Sequence, residues 1–195
     1  YGAELKKRVL DLVVSFVGLI LLMPIFFILI CGVLFFMGRP VFFVQERTGK
    51  FGKPFKIFKL RTMNENKDKS GNLLPDEERL TYLGKFLRAS SLDELPELVN
   101  VLKGEMSLIG PRPERPEINK ILFKETNIYK YRYLLKPGLS GWAQVNYNYA
   151  ASAEESKIKL GYDMFYLRNS SFLLDILIIF KTIKIIFNLK GALPN

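Results

Sequence analysis

Twenty-seven consecutive residues, Leu12 to Gly38, carry no charge. Only Ser15, Gly18, Pro24, Cys31, Gly32 and Gly38 interrupt the aliphatic, methionine and phenylalanine side chains. A continuous helix of that length reaches roughly 40 Å, more than the ~30 Å hydrocarbon core of a bilayer requires. The segment is therefore expected to contact a membrane. A cleaved signal peptide has a shorter apolar stretch ending in small residues, and Ile28-Leu29-Ile30 before Cys31 lacks the small residue of a lipoprotein signal.

Two arrangements remain, a single spanning helix and a re-entrant hairpin. Pro24 removes a backbone hydrogen bond and leaves halves of 12 and 14 residues, about 18 and 21 Å long and each too short to cross. Charge points the same way. Lys6, Lys7 and Arg8 precede the segment, and Arg39, Arg47, Lys50, Lys53, Lys56, Lys59 and Arg61 follow it. Through residue 61 there are 10 basic and 3 acidic residues, +7 of the chain's formal +10. A span would put one basic flank on the non-cytoplasmic side, whereas a hairpin keeps both inside. The backbone groups freed at the break then need partners. A second membrane element is expected at Phe172 to Phe187, an apolar helix with Asp175, Lys181 and Lys184. It reads as an interfacial helix with its lysines among headgroups, or as a buried core helix.

The chain has 195 residues, no histidine and one cysteine. Histidine-based triads, an imidazole general base, a Cys/His zinc site and an internal disulfide are all excluded. Any metal is then a hard cation on oxygen ligands, and any nucleophile a carboxylate, hydroxyl or lysine. The first residue is Tyr1, as expected of a piece of a longer chain.

The expected fold class is α+β. Residues 1–38 form the membrane hairpin, and 39–195 a small mixed catalytic domain that includes the interfacial helix 172–187. Val41 to Arg47 and Phe55 to Arg61 read as strands around a turn at Gly49 to Gly52. Glu77 to Arg88, Leu92 to Leu102 and Glu117 to Tyr131 read as helices. Gly110-Pro111-Arg112-Pro113 is a stiff loop, and Lys136 to Val145 is rich in turns. Neither a Walker A loop nor a Gly-x-Gly-x-x-Gly fingerprint is present.

Ser90-Ser91-Leu92-Asp93-Glu94-Leu95-Pro96 supports two readings. Ser91 and Glu94 have the spacing of a capping box, although Pro96 would then lie past the first turn. A cap at Asp93 would put Pro96 inside it. Alternatively, adjacent carboxylates near a helix start, flanked by Arg88 and Arg112, suit phosphoryl chemistry. One attacks phosphorus while its neighbour holds Mg²⁺, and the guanidinium forks take phosphate oxygens.

Together, the stretch Asp93-Glu94-Leu95-Pro96-Glu97-Leu98 through Gly110-Pro111-Arg112-Pro113 resembles the central box of the bacterial monotopic phosphoglycosyl transferases. Gln45-Glu46-Arg47-Thr48-Gly49, Phe58-Lys59-Leu60-Arg61-Thr62-Met63 and Lys136 to Asn146 match further family boxes. The likeness runs from Lys6 to about Phe187. It implies transfer of a sugar-1-phosphate from a UDP-sugar donor to polyprenyl (undecaprenyl) phosphate with release of UMP, by a ping-pong route. Asp93 is the implied nucleophile and Glu94 the implied Mg²⁺ ligand. Arg88, Arg112, Lys59 and Asp163 are implied near the substrate phosphates, and Pro24 marks the hairpin break. The implied location is the cytoplasmic face of the bacterial inner membrane. Oligomerisation stays open, as do the sugar and the downstream glycan.

Two positions depart from the family: Met23 stands where serine is common, and Tyr147 follows Val145-Asn146 where glycine is usual. Asp163, before Met164-Phe165-Tyr166, occupies a place similar to the family's aspartate before paired aromatics. Tyr147 is expected to alter the acceptor or sugar pocket. The rival reading is a non-catalytic, membrane-anchored protein that binds anionic lipid. A nucleic-acid binder lacks a recognisable motif and leaves the apolar run unexplained.

Overall fold

The computed structural model describes residues 2–147 and 153–189. Helix α1 (Gly2–Met37) runs through Pro24 without interruption. The expected pair of half-helices is thus not seen as a break. Proline removes one bond, to the Ile20 carbonyl, and the turns on either side hold the helical path. By length and composition α1 is long and apolar enough to cross a membrane.

One stripe of α1 packs on the rest of the chain. Arg8 donates to the carbonyls of Val101 and Leu102 at 2.7 and 2.8 Å. Asp11 accepts from Ser107 Oγ at 3.0 Å and from the Leu108 amide at 2.9 Å, and Lys7 pairs with Asp175 at 2.8 Å. Further along, Val33 is buried with Leu60 and Leu87. Arg61 closes the helix end by donating to the carbonyl of Met37, which helix geometry leaves without a partner, and to those of Gly38 and Arg39 just beyond it. The other side exposes Phe16, Leu21, Phe27, Ile28 and Phe35. Glu4 and Lys50, from opposite ends of the apolar run, lie 3.6 Å apart.

Strands β1 (Phe42–Thr48) and β2 (Pro54–Leu60) form an antiparallel hairpin, with Phe42 opposite Leu60 and Thr48 opposite Pro54. Both lie within one residue of their expected bounds. Alternation along β2 sends Phe55 and Ile57 into the main core, while Leu60, on the opposite face, packs with Val33 and Leu87.

The helix expected at Glu77 to Arg88 is two, α2 (Asp76–Arg79) and α3 (Tyr82–Ala89). Leu80 bridges to Met63 between them, and Thr81 Oγ1 caps α3 by accepting from the Gly84 amide at 2.9 Å. A 3₁₀ turn (Leu92–Glu97) then leads into α4 (Leu98–Lys103), which stops at Gly104 with φ +83°. Strand β3 (Ser107–Ile109) pairs in parallel with β4 (Gly138–Ser140). The helix expected at Glu117 to Tyr131 divides at Thr126 into α5 (Pro116–Glu125) and a 3₁₀ segment (Asn127–Leu134). Short α6 (Trp142–Asn146) follows, then α7 (Ala153–Asn169), which the sequence pattern did not reveal.

Helix α8 (Phe172–Phe187) has the expected bounds. It joins the core through Ile178, alongside Phe55, Ile57, Leu98, Val101, Met106, Leu108, Ile109 and Tyr166. Asp175 and Lys181 find partners within the domain, while Lys184 is exposed. Asp175 is bonded to Tyr166 and Lys7, and Lys181 donates to Asn146 Oδ1 at 2.5 Å and lies over the Trp142 ring. Lys181, expected among headgroups, is thus half-buried and bonded within the domain. Leu173, Phe180 and Phe187 are exposed instead.

Candidate active site

Ser91 adopts a left-handed conformation (φ +56°) and turns the chain from α3 into the 3₁₀ turn. Its side chain makes no cap, so the capping box does not form. Side chains three residues apart eclipse in a 3₁₀ turn, which sets Glu94 and Glu97 on one face. Lys59 reaches both from β2. It donates to Glu94 Oε1 and lies 3.2 Å from Glu97 Oε1. Arg112 Nη2 donates to the same Glu94 oxygen at 2.9 Å. Arg88, in the last turn of α3, donates through Nε to Thr62 Oγ1 at 3.1 Å.

The three carboxylates are held differently. Asp93 is buried and accepts no hydrogen bond from a described residue. Burial first, and then the Glu94 charge, push its pKa up to about 6 against the pull of Lys59, Arg88 and Arg112. Burial also works against the Glu94 charge, yet Lys59 and Arg112 outweigh it and hold Glu94 at about 2. Glu97 is pushed up to about 7, by burial and then by Glu94, although Lys59 opposes this. Glu94 is thus firmly ionised, while Asp93 and Glu97 titrate near neutrality. Arg112 is raised, chiefly by Glu94.

Among the described residues no three Asp, Glu, Cys or His side chains converge as a metal cluster. A Mg²⁺ ion needs fewer, because it keeps waters and takes substrate phosphate oxygens beside one or two carboxylates. Glu94 fits that demand. Lys59 and Arg112 occupy Oε1, and Oε2 bonds to no described residue.

Asp163 does not join this cluster. It is buried on α7 and accepts from Arg132 Nε at 2.7 Å, and Arg132 Nη2 in turn donates to the Arg112 carbonyl at 3.0 Å. An anion paired this way reaches the substrate side only through Arg132. Tyr147 faces Tyr162 of α7 with ring centroids 6.3 Å apart. Sequence reasoning did not single out Glu97, Arg47 or Arg132. Glu97 could have been found from its i+3 spacing to Glu94 and Arg47 from its motif, whereas nothing local marks Arg132. Arg47 lines one small pocket with Ile57, Lys59, Glu97, Arg112 and Pro113.

Comparison with known proteins gives a consistent match. The family described as "Bacterial sugar transferase" matches residues 2–189. The "UDP-N-acetylgalactosamine-undecaprenyl-phosphate N-acetylgalactosaminephosphotransferase" of Aeromonas hydrophila is 40% identical over 188 residues, covering 95% of this chain and 44% of that protein. The "Uncharacterized sugar transferase EpsL" of Bacillus subtilis (strain 168) is 42% identical over 185 residues, covering 95% and 89%. The "UDP-glucose:undecaprenyl-phosphate glucose-1-phosphate transferase" of Klebsiella pneumoniae is 40% identical over 181 residues, covering 91% and 39%. The chain thus spans less than half the length of the first and third of these, and most of the second.

Proposed function

The chain belongs to the bacterial sugar transferase family, and from that premise we propose that it transfers a sugar-1-phosphate from a UDP-sugar to polyprenyl (undecaprenyl) phosphate, releasing UMP. It would thereby initiate membrane-glycan or polysaccharide assembly. The transfer has two halves, both at Asp93. A carboxylate oxygen attacks the sugar-bearing phosphorus, the bond from that phosphorus to the bridging oxygen breaks, and UMP leaves with the electron pair. An oxygen of the lipid phosphate then attacks the same phosphorus, and the bond to Asp93 breaks to restore the carboxylate.

The observation that carries this reading is the condition of Asp93. It is a buried carboxylate near three cations that accepts no hydrogen bond from a described residue. Its oxygens are not among the fully buried atoms that lack a partner, so they stay open to an incoming phosphorus, which suits a nucleophile better than a scaffold. With its pKa at about 6 the group is ionised at neutral pH and more basic than an ordinary aspartate. Arg88, Lys59 and Arg112 would offset the donor's phosphate charge. Glu94 would hold Mg²⁺ through its open oxygen. When bound, the ion would neutralise diphosphate charge.

The membrane reading rests on α1. Its outward face is apolar, and its two flanks meet one polar domain through the Glu4–Lys50 pair and the Arg61 bonds. A spanning helix would separate those flanks by ~30 Å of hydrocarbon. We therefore favour a shallow re-entrant segment, bent at Pro24, that enters and leaves on the cytoplasmic face of the inner membrane, with the apolar face of α8 at the interface. A non-catalytic binder of anionic lipid gives no reason to pair Glu94 and Glu97 with one lysine beside a buried Asp93.

Incubation with labelled UDP-sugars and Mg²⁺ is expected to leave phosphosugar on Asp93 and to release UMP, and Asp93→Asn to abolish both. An equal adduct on the Asn variant would rule out the nucleophile. No adduct on the wild type across a panel of UDP-sugars would rule out the reaction.

A further inference from the structure

The loop that presents Arg112 has four successive carbonyls, each held from outside. Pro111 O accepts from the Gly138 amide at 2.9 Å, and Arg112 O from Arg132 Nη2 at 3.0 Å. Pro113 O accepts from Arg47 Nη1, and Glu114 O from the Thr48 amide, both at 3.0 Å. Pro111 and Pro113 have no N–H, so carbonyls are most of what this loop can offer its surroundings. Arg132 is buried with every nitrogen engaged: Nε on Asp163, Nη1 on the Tyr129 hydroxyl and Nη2 on the Arg112 carbonyl. Neither Arg132 nor Asp163 makes a bond to Asp93, Glu94 or Lys59.

We propose that Arg132 and Arg47 are positioning residues, which fix the Arg112 guanidinium by holding its own carbonyl and the next one, and that Asp163 acts through Arg132. The proposal rests on the reaction assigned above. The need for it is geometric. Arg112 already donates to Glu94 and must also meet a donor phosphate, and a shift of about 1 Å in such a group can cost about 100-fold in rate. Proline on each side stiffens the loop but does not set where it sits. The four carbonyl bonds do, and two of them come from guanidiniums.

The test is a pair of double-mutant cycles. Arg132→Lys keeps a positive charge for Asp163, but a single ammonium cannot replace the planar fork that also reaches Tyr129 and the carbonyl. Arg47→Met approaches the same loop from β1 and breaks no ion pair, so it carries the test if Arg132→Lys melts early. Each is made in the wild type and in an Arg112→Met background, and single-turnover adduct formation is measured. Arg132→Lys is expected to slow the wild type about 100-fold and the Arg112→Met variant by less than about twofold, with the same pattern, smaller, for Arg47→Met. Equal losses in both backgrounds, or none in either, would overturn the proposal. UDP affinity, measured without turnover, is read through the same cycles. Absence of adduct in the wild type then counts against the reaction, and absence of coupling counts against the carbonyl clamp.

Discussion

Replacing the proposed nucleophile should make the protein more stable. Asp93 has its pKa raised from 3.8 to about 6 by burial and by Glu94. A carboxyl that holds its proton more tightly when folded loses stability as pH rises from its unfolded value through its folded one, and the full cost persists above that. A shift of about 2 units corresponds to about 3 kcal/mol at pH 8. Asparagine is nearly isosteric and uncharged, so Asp93→Asn should recover most of that. At pH 5 only about half of that remains to recover, because the folded wild type is by then largely protonated. For a chain of this size 1 kcal/mol moves Tm by about 2–4 °C, so the gain should be about 6–12 °C at pH 8 and about half that at pH 5. Thermal melts of both proteins in the same lipid nanodisc, without donor or Mg²⁺, measure it. An Asn variant no more stable than wild type at pH 8, or one stabilised equally at both pH values, would refute the electrostatic account of the site.

Three further outcomes are expected. Adduct formation should fall as pH drops through about 6, where Asp93 takes up a proton, and quenched-flow rates between pH 5 and 8 would show it. Gly84→Ala would put a Cβ 1.9 Å from the Thr62 carbonyl oxygen. The fold should lose about 1–3 kcal/mol in denaturant unfolding, and Arg88, which is bonded to Thr62 and carried on α3, should lose its place, with slower turnover. Cysteines at positions 4 and 50 in a Cys31→Ser background should both be labelled from the cytoplasmic side, and labelling from opposite sides would mean a spanning helix.

What could be read from the sequence was local. The β1–β2 hairpin has turn residues and apolar runs in register, and α8 is a largely apolar stretch with few polar residues, so both emerge nearly to the residue. Asp93, Glu94 and Arg112 could be found because they sit in one contiguous box. Non-local effects were hidden. Ser91 and Glu94 have the spacing of a capping box, yet the chain turns left-handed there and Glu94 meets Lys59 from β2 and Arg112 from the proline loop. Helix α7 lacks a clear apolar stripe because it buries Asp163 beside Leu160 and Tyr166. The Arg132 side chain finds Asp163 across 31 positions, a distance no periodicity reports. Arg61 read only as part of the basic flank, but it closes α1, and Lys59, implied near the substrate phosphates, pairs with Glu94 and Glu97.

The bond from Asp11 to the Leu108 amide and the Ser107 hydroxyl makes the membrane helix part of the interior of the domain. The anchor is consequently not interchangeable. A generic apolar helix in its place would leave a strand amide next to the Arg112 loop with no acceptor, and deleting it would uncover Leu60 and Leu87 as well. Folding of the domain is then expected to need α1 already in place, because neither part supplies a finished surface for the other to join later.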